Sequence, residues 1–396
     1  MDLLKQSIFQ AIDEASEELE KLSIDIWRNP ELNFEEHHAH EILTNFLECK
    51  GFNVQQKFAM ETGFKAELGS TENGPNIAVI CEYDALPEIG HACGHNLIAE
   101  AGVAAGLGIK AALRKAEKPF GKITVLGTPA EEGGGGKIDM IKAGVFDDID
   151  VAMMVHPCPK TVSHGSFAAV DMVTVKYTGK AAHAAAYPWE GVNALDAAVI
   201  CYQNVSCLRQ QMKPTWRAHG IINKGGIKPN IIPEFTELEY YFRAPNKKEL
   251  DDLRNKIKSC FDSAATATGC QVSYTFSSKP YLNLVTNNRM ADVFYNNAIS
   301  IGVQFDAKED IIAGSTDMGN VSQIVPSIHP IYGIETTHGN HTKDFAIAAG
   351  DPKAQLHTLN QAKAMAMTCL DIFTDKHLLK DIKEEFAIFS KNSQSD

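Results

Sequence analysis

The chain has 396 residues, 44% of them apolar, with 37 Lys plus Arg against 50 Asp plus Glu and a formal net charge of -13. That length exceeds what one hydrophobic core comfortably serves, so about two domains are expected. The acidic balance speaks against nucleic acid as a partner, because phosphate binding asks for a basic surface.

The chain opens with "MDLLKQSIFQAIDEASEELEKL", an acidic amphipathic pattern with neither a basic n-region nor a continuous apolar h-region, so no secretory address is expected. No run of about 18 apolar residues that would span a bilayer is seen, and no membrane partner is expected. The nine cysteines are scattered and odd in number. They do not form a disulfide framework, a cytoplasmic location fits them best, and Cys93 is therefore available as a thiolate.

Leu4, Ile8, Ile12, Leu19 and Leu22 recur near helical period, which predicts one helix ending before Pro30. A second helix is predicted over 35–50, stopped by Gly51. Three buried-strand patterns follow, "NIAVICEY" at 76–83, "KITVLGT" at 122–128 and "DVAMMV" at 150–155. The segment "LIAEAGVAAGLGIKAALRK" between the first two has small residues that let a helix pack close on a sheet. Strands and helices alternating in this way predict an α/β fold with a mixed, largely parallel sheet and helices on both faces.

From 169 to 282 the pattern changes. Alternating strands at 171–179, 234–244 and 270–276 are separated by helical stretches at about 192–211 and 247–268. This reads as an inserted α+β unit of ferredoxin-like type with one wet sheet face. The first domain is then made of 1–168 and 283–396, closing with one long helix from about Pro352. No internal repeat interrupts this division.

In open α/β sheets, ligands sit at the carboxyl ends of the strands. Asp84 ends the first strand pattern, Glu131 and Glu132 follow the second, and His156 closes the third. The loop after Asp84 holds "GHACGHN", placing Cys93 and His95 toward the same crevice. Thiolate, imidazole and carboxylate are the donors that zinc prefers, while manganese or cobalt can also occupy such a site. Of two adjacent glutamates, one can bind metal while its neighbour acts as general base, an arrangement that points to hydrolysis. The glycines of "AEEGGGGKI" do not form a phosphate loop, since Ile138 follows Lys137 where Ser or Thr is required. A cysteine hydrolase with Cys93 as nucleophile and His91 or His95 as base stays open, as does a metal-binding dimer without turnover. His37, His38 and His40 read as a solvated helix face. Cys81, Cys158 and Cys201 read as core thiols.

The ordered motifs "EYDALPEIGHACGHN", "TPAEEGGGG", "VHP", "GKAAHAAAYPWEGVNALDA", "GGIKPNIIPE" and "HTKDF" resemble the aminoacylase and carboxypeptidase family of two-metal peptidases, in its amidohydrolase branch. The resemblance runs from about Trp27 to the last helix. It implies a zinc-peptidase-like catalytic domain holding two divalent ions, with Cys93 bridging them and His95, Glu132, His156 and His341 completing their shells. It also implies Glu131 as general base and Asp84 as a support for the site. In the insertion it implies His183 as an oxyanion group reaching into a partner subunit, with Asn230 and Arg243 holding the substrate's carboxylate. The insertion is then a lid and dimerisation domain, and the working unit a homodimer. His341 is preferred to His338 by its spacing to Phe345. Two departures from the branch pattern, Asn96 and "STDMGN", are shared with its dipeptidase and p-aminobenzoyl-glutamate subset. The expected substrates are small dipeptides ending in Lys, ornithine or Arg, such as beta-alanyl-lysine. An N-acyl amino acid or p-aminobenzoyl-glutamate is the alternative. Asp317 is a candidate acid for the basic side chain.

Overall fold

A computed structural model describes residues 2–307 and 314–395, divided into two compact units. The first comprises Met1–Ser166, Leu284–Ile311 and Thr316–Asp396, and the second Phe167–Asn283 with the described part of Ile312–Ser315.

The first unit is built on a sheet of six strands, in the order Asn53–Gln56, Phe64–Gly69, Lys122–Gly127, Asn76–Cys81, Val151–Met153 and Ser327–Ile328. The last four are parallel and the first two antiparallel, so the sheet is mixed as expected. Asn76–Cys81 is buried along its whole length, as a parallel strand covered on both faces must be. Val79 pairs with Val125, both fully buried; burying side chains of this size contributes about 1.5–3 kcal/mol each.

The helix His95–Lys115 runs through this core. It has the length and apolar composition of a membrane span, yet 83% of that stretch is buried inside the protein. Its small residues allow close approach, for a Cβ on Gly102 would lie 2.5 Å from the Cys81 sulfur. A two-stranded parallel pair, His156–Cys158 with Ile331–Gly333, lies in the same unit.

Three details depart from the sequence reading. The opening helix is two, Asp2–Glu14 and Ser16–Arg28, interrupted at Ala15 although the apolar periodicity runs through the break. The closing helix is also two, Lys353–Thr374 and Lys376–Ser395. Between them Asp375 turns extended, its carboxylate accepting the amides of His377 and Leu378 and so starting the next helix. Strands Asn53–Gln56 and Phe64–Gly69 had no clear signal, because the first is mostly exposed and polar.

The second unit has strand, helix, strand, strand, helix, strand in chain order. Its antiparallel sheet runs Gln271–Phe276, Ala169–Thr178, Phe235–Ala244, Arg217–Lys224. This is the connectivity of a ferredoxin-like α+β fold. Phe235–Ala244 alternates strictly, sending Leu238, Tyr240 and Phe242 into a core shared with Cys201, Leu253, Ile257 and Phe261 of the two helices. Asn193 and Asn246 cap those helices by accepting backbone amides at their first turns. Arg217–Lys224 was not anticipated as a strand. It is the edge of the sheet, and Ile221 and Ile222 are exposed instead of alternating.

Candidate metal centre

In the first unit the sequence-predicted ligands converge. The donor atoms of Cys93, His95 and His156 lie within 4.8 Å of one another, and so do those of Cys93, Glu132 and His341. Cys93 belongs to both sets. It comes from the loop that ends at Gly94, whose left-handed conformation (φ 77°) starts the core helix at His95. A Cβ on Gly94 would stand 2.5 Å from the ring of Pro157, so glycine is also what lets the loop close on the His156 strand.

Two of the three imidazoles are oriented by a hydrogen bond on Nδ1. His95 Nδ1–H donates to Asp84 Oδ1 at 2.9 Å, and His156 Nδ1–H to the Pro157 carbonyl at 2.7 Å. The Nε2 atoms are left for a metal, that of His156 lying 3.4 Å from Cys93 Sγ. His341 takes a left-handed backbone (φ 66°), unusual for a residue other than glycine. Its amide donates to the Ala92 carbonyl, and its Nε2 lies 3.4 Å from Glu132 Oε1. His338, the other histidine of that loop, is exposed and faces Asp344.

The polar atoms of this cluster fit metal ions. His95 Nε2 and Glu132 Oε1 are buried with no hydrogen-bond partner, a costly state unless a cation satisfies them. Burial, then the charge of Glu132, pushes the Cys93 thiol far up, and a cation held there would favour the thiolate. Burial also carries His156 down to about 4, leaving it a neutral imidazole able to ligate.

Behind the ligands lies a ring of carboxylates. Asp84 is wholly enclosed; burial would raise it, but His95's charge and hydrogen bond hold it below the usual range, and its Oδ2 accepts the amide of Glu132. Glu131 is 7% exposed, and burial followed by the charges of Glu82, Glu132 and Asp317 drives its carboxyl well upward. Carboxylate oxygens of Glu82, Glu131 and Asp317 also gather within 4.8 Å. A cation already serves that group, for Lys137 Nζ donates to Glu82 at 2.6 Å and to Asp317 at 2.7 Å, all three fully buried. Asp317 is therefore engaged in the interior and is not free to read a substrate side chain, which corrects its candidacy.

Glu82, Lys137 and Asn340 were missed in the sequence. Glu82 had a signal, being two residues before Asp84 and thus on the same side of an extended segment. Asn340 bridges the loops by donating to the Cys93 and Pro157 carbonyls at 3.4 and 3.0 Å. His40 does not share the solvated face expected for it with His37 and His38; it is 6% exposed and its Nε2 accepts the Lys57 amide. Cys81 and Cys201 are buried, and Cys158 is half-buried.

The remaining predicted residues lie in the second unit. His183 and Asn230 share a bridge region, the Ala184 amide donating to the Asn230 carbonyl at 3.1 Å, and the His183 Nδ1 accepts the amides of Ala185 and Ala186. That tautomer leaves Nε2–H as a donor. Arg243, on the strand Phe235–Ala244, donates to Ser315 Oγ at 2.7 Å, and pairs with neither Glu237 nor Glu239, which take Lys176, Lys224 and Asn223.

Two donor sets sharing one cysteine sulfur, with Glu131 gathered beside His95 and Glu132, at the strand ends of an α/β sheet, are the features of a metal-dependent hydrolase. The profile of Peptidase family M20/M25/M40 matches residues 79–359, and the chain belongs to this family. It is 52% identical over 399 residues to the Xaa-Arg dipeptidase of Mus musculus, covering 98% of this chain and 93% of that protein. More distantly, it is 28% identical to a p-aminobenzoyl-glutamate hydrolase polypeptide of Escherichia coli, over 96% of this chain and 95% of that one. Its fold is similar to that of a dinuclear metal binding peptidase of the M20 family from Bacillus subtilis, with a TM-score of 0.68 at 21% identity, covering 90% of this chain and 98% of the other.

Proposed function

We propose that this enzyme hydrolyses the amide bond of small dipeptides with a free C-terminus, those ending in Lys, ornithine or Arg. The observation that carries the chemistry is the pair of donor sets that share Cys93. The likeness to an Xaa-Arg dipeptidase along nearly the whole chain supports the substrate class.

In this reading Cys93, His95, Glu132, His156 and His341 would hold two divalent ions, and zinc is the ion that thiolate and imidazole favour. Bound there, the ions would supply Lewis-acid polarisation of the scissile carbonyl and acidify the attacking water. Glu131 accepts the proton of the attacking water and delivers it to the leaving amine. Asp84 fixes the His95 tautomer. In the homodimer the His183 Nε2–H reaches into the partner subunit's site and donates to the developing oxyanion, and Asn230 and Arg243 hold the substrate carboxylate.

The second unit acts as lid and dimerisation domain of a homodimer. The exposed edge strand bearing Ile221 and Ile222 supports this, since an unpaired apolar edge calls for a partner. Nine unpaired cysteines support a reducing, cytoplasmic setting.

The test is release of free amino acid from dipeptides with basic, acidic and apolar C-termini. Cleavage confined to basic C-termini is expected; preference for acyl-amino acids or p-aminobenzoyl-glutamate would overturn the substrate assignment.

A further inference from the structure

We propose that Glu36 is a positioning residue for the reaction, clamping the turn that carries Glu131 and Glu132. This deepens the reading above and rests on it for the roles of those two glutamates.

Glu36 lies just before the helix His37–Cys49, is completely buried, and is remote in sequence from the site. Its Oε1 accepts two backbone amides at 2.9 Å, from Phe34 and from Ala130, and its Oε2 accepts the Thr62 hydroxyl at 2.7 Å. Ala130 precedes Glu131 and stands at φ 59°, a left-handed conformation strained for alanine. Strain of this kind persists only where the surroundings over-determine it, and the Ala130 amide is the group that Glu36 holds.

The far side of the same turn is held by Asp84, which accepts the Glu132 amide at 2.9 Å. Glu131 therefore sits between two amides pinned by two carboxylates. The loop bearing Glu36 is moulded to the turn elsewhere too. A Cβ on Gly134 would meet the Phe34 ring at 2.6 Å, and one on Gly133 would lie 3.5 Å from the Asn33 amide nitrogen. A buried carboxylate spent on the amide of one strained residue fixes where the next two side chains point. With the clamp gone, the turn relaxes, the base swings from its line, and Glu132 presents its oxygen less well to a cation.

The experiment compares the parent with Glu36→Gln, which keeps an acceptor for both amides, and Glu36→Met, which removes it. Three quantities are read: hydrogen exchange over 129–136 in metal-free protein, cobalt affinity from thiolate absorption, and kcat and KM with saturating zinc. Glu36→Met should exchange faster over that segment, bind cobalt more weakly, and lose about 10-fold or more in kcat with KM changed by less than about 3-fold, as losing a group that orients a metal ligand does. Glu36→Gln should stay within about 3-fold of the parent. Parental exchange and kcat in Glu36→Met, or equal damage in Glu36→Gln, would overturn the proposal. Should Glu36→Met not fold, Thr62→Val removes only the hydroxyl on Oε2 and should give the same pattern more weakly; an unchanged pattern overturns the clamp. A parent inert toward every dipeptide, with the exchange contrast intact, would sink the dipeptidase reading and leave the clamp standing.

Discussion

His95 and Asp84 are joined by a 2.9 Å hydrogen bond, Nδ1 to Oδ1, with both side chains shut off from solvent. The bond occupies Nδ1 and leaves the other nitrogen of that ring, Nε2, toward Glu132. The second Asp84 oxygen is not idle, since it takes the Glu132 amide. One carboxylate thus orients two candidate ligands that stand far apart in sequence.

Asp84→Asn would put an NH2 group against either His95 Nδ1–H or the Glu132 amide, because an amide has one acceptor oxygen where the carboxylate has two. Zinc affinity and kcat should both fall by about 10- to 100-fold. Metal content after dialysis, read beside kcat, checks this; parental values for both would refute the orienting role.

Glu131→Gln preserves volume and leaves Cys93, His95, Glu132, His156 and His341 untouched. Turnover should drop by about 10²- to 10⁴-fold, the usual contribution of a general base, while bound metal is unchanged. A variant with normal rate would assign the base elsewhere.

Cys93 belongs to both donor sets and His341 to one. Cys93→Ala should therefore weaken both ions, whereas His341→Ala should retain one per chain. Elemental analysis after equilibration distinguishes them, and equal stoichiometry in the two variants would contradict a bridging thiolate.

Glu100 sits completely buried on the core helix, and burial raises its carboxyl from 4.5 to about 8. Between those values the folded chain keeps a proton that the unfolded chain releases, so stability falls as pH rises through that window. Glu100→Gln stays neutral throughout. Its gain in unfolding temperature over the parent should increase from pH 5 to pH 8, and a gain independent of pH would show that Glu100 is not held protonated.

The α/β sheet was legible because its central strands are unbroken apolar runs, and the site because those strands end in Asp84, the two glutamates and His156. His341 needed the family likeness, since nothing local marks a histidine whose role depends on a turn meeting Ala92. The Lys137 network was illegible for another reason. Its lysine and Asp317 are separated by 180 residues and meet only through packing. Glu36 bears no local mark in the sequence; its meaning is in the strained Ala130 whose amide it accepts. Asn53–Gln56 and Arg217–Lys224, each at a sheet edge, gave no period to read.

The most direct test of the two-ion hydrolase is to strip the protein with a chelator, restore zinc in graded equivalents, and follow release of lysine from beta-alanyl-lysine. Activity should vanish on stripping and return fully only as the second equivalent per chain is bound. Cleavage that survives complete removal of metal would contradict the account and return Cys93 to the role of nucleophile.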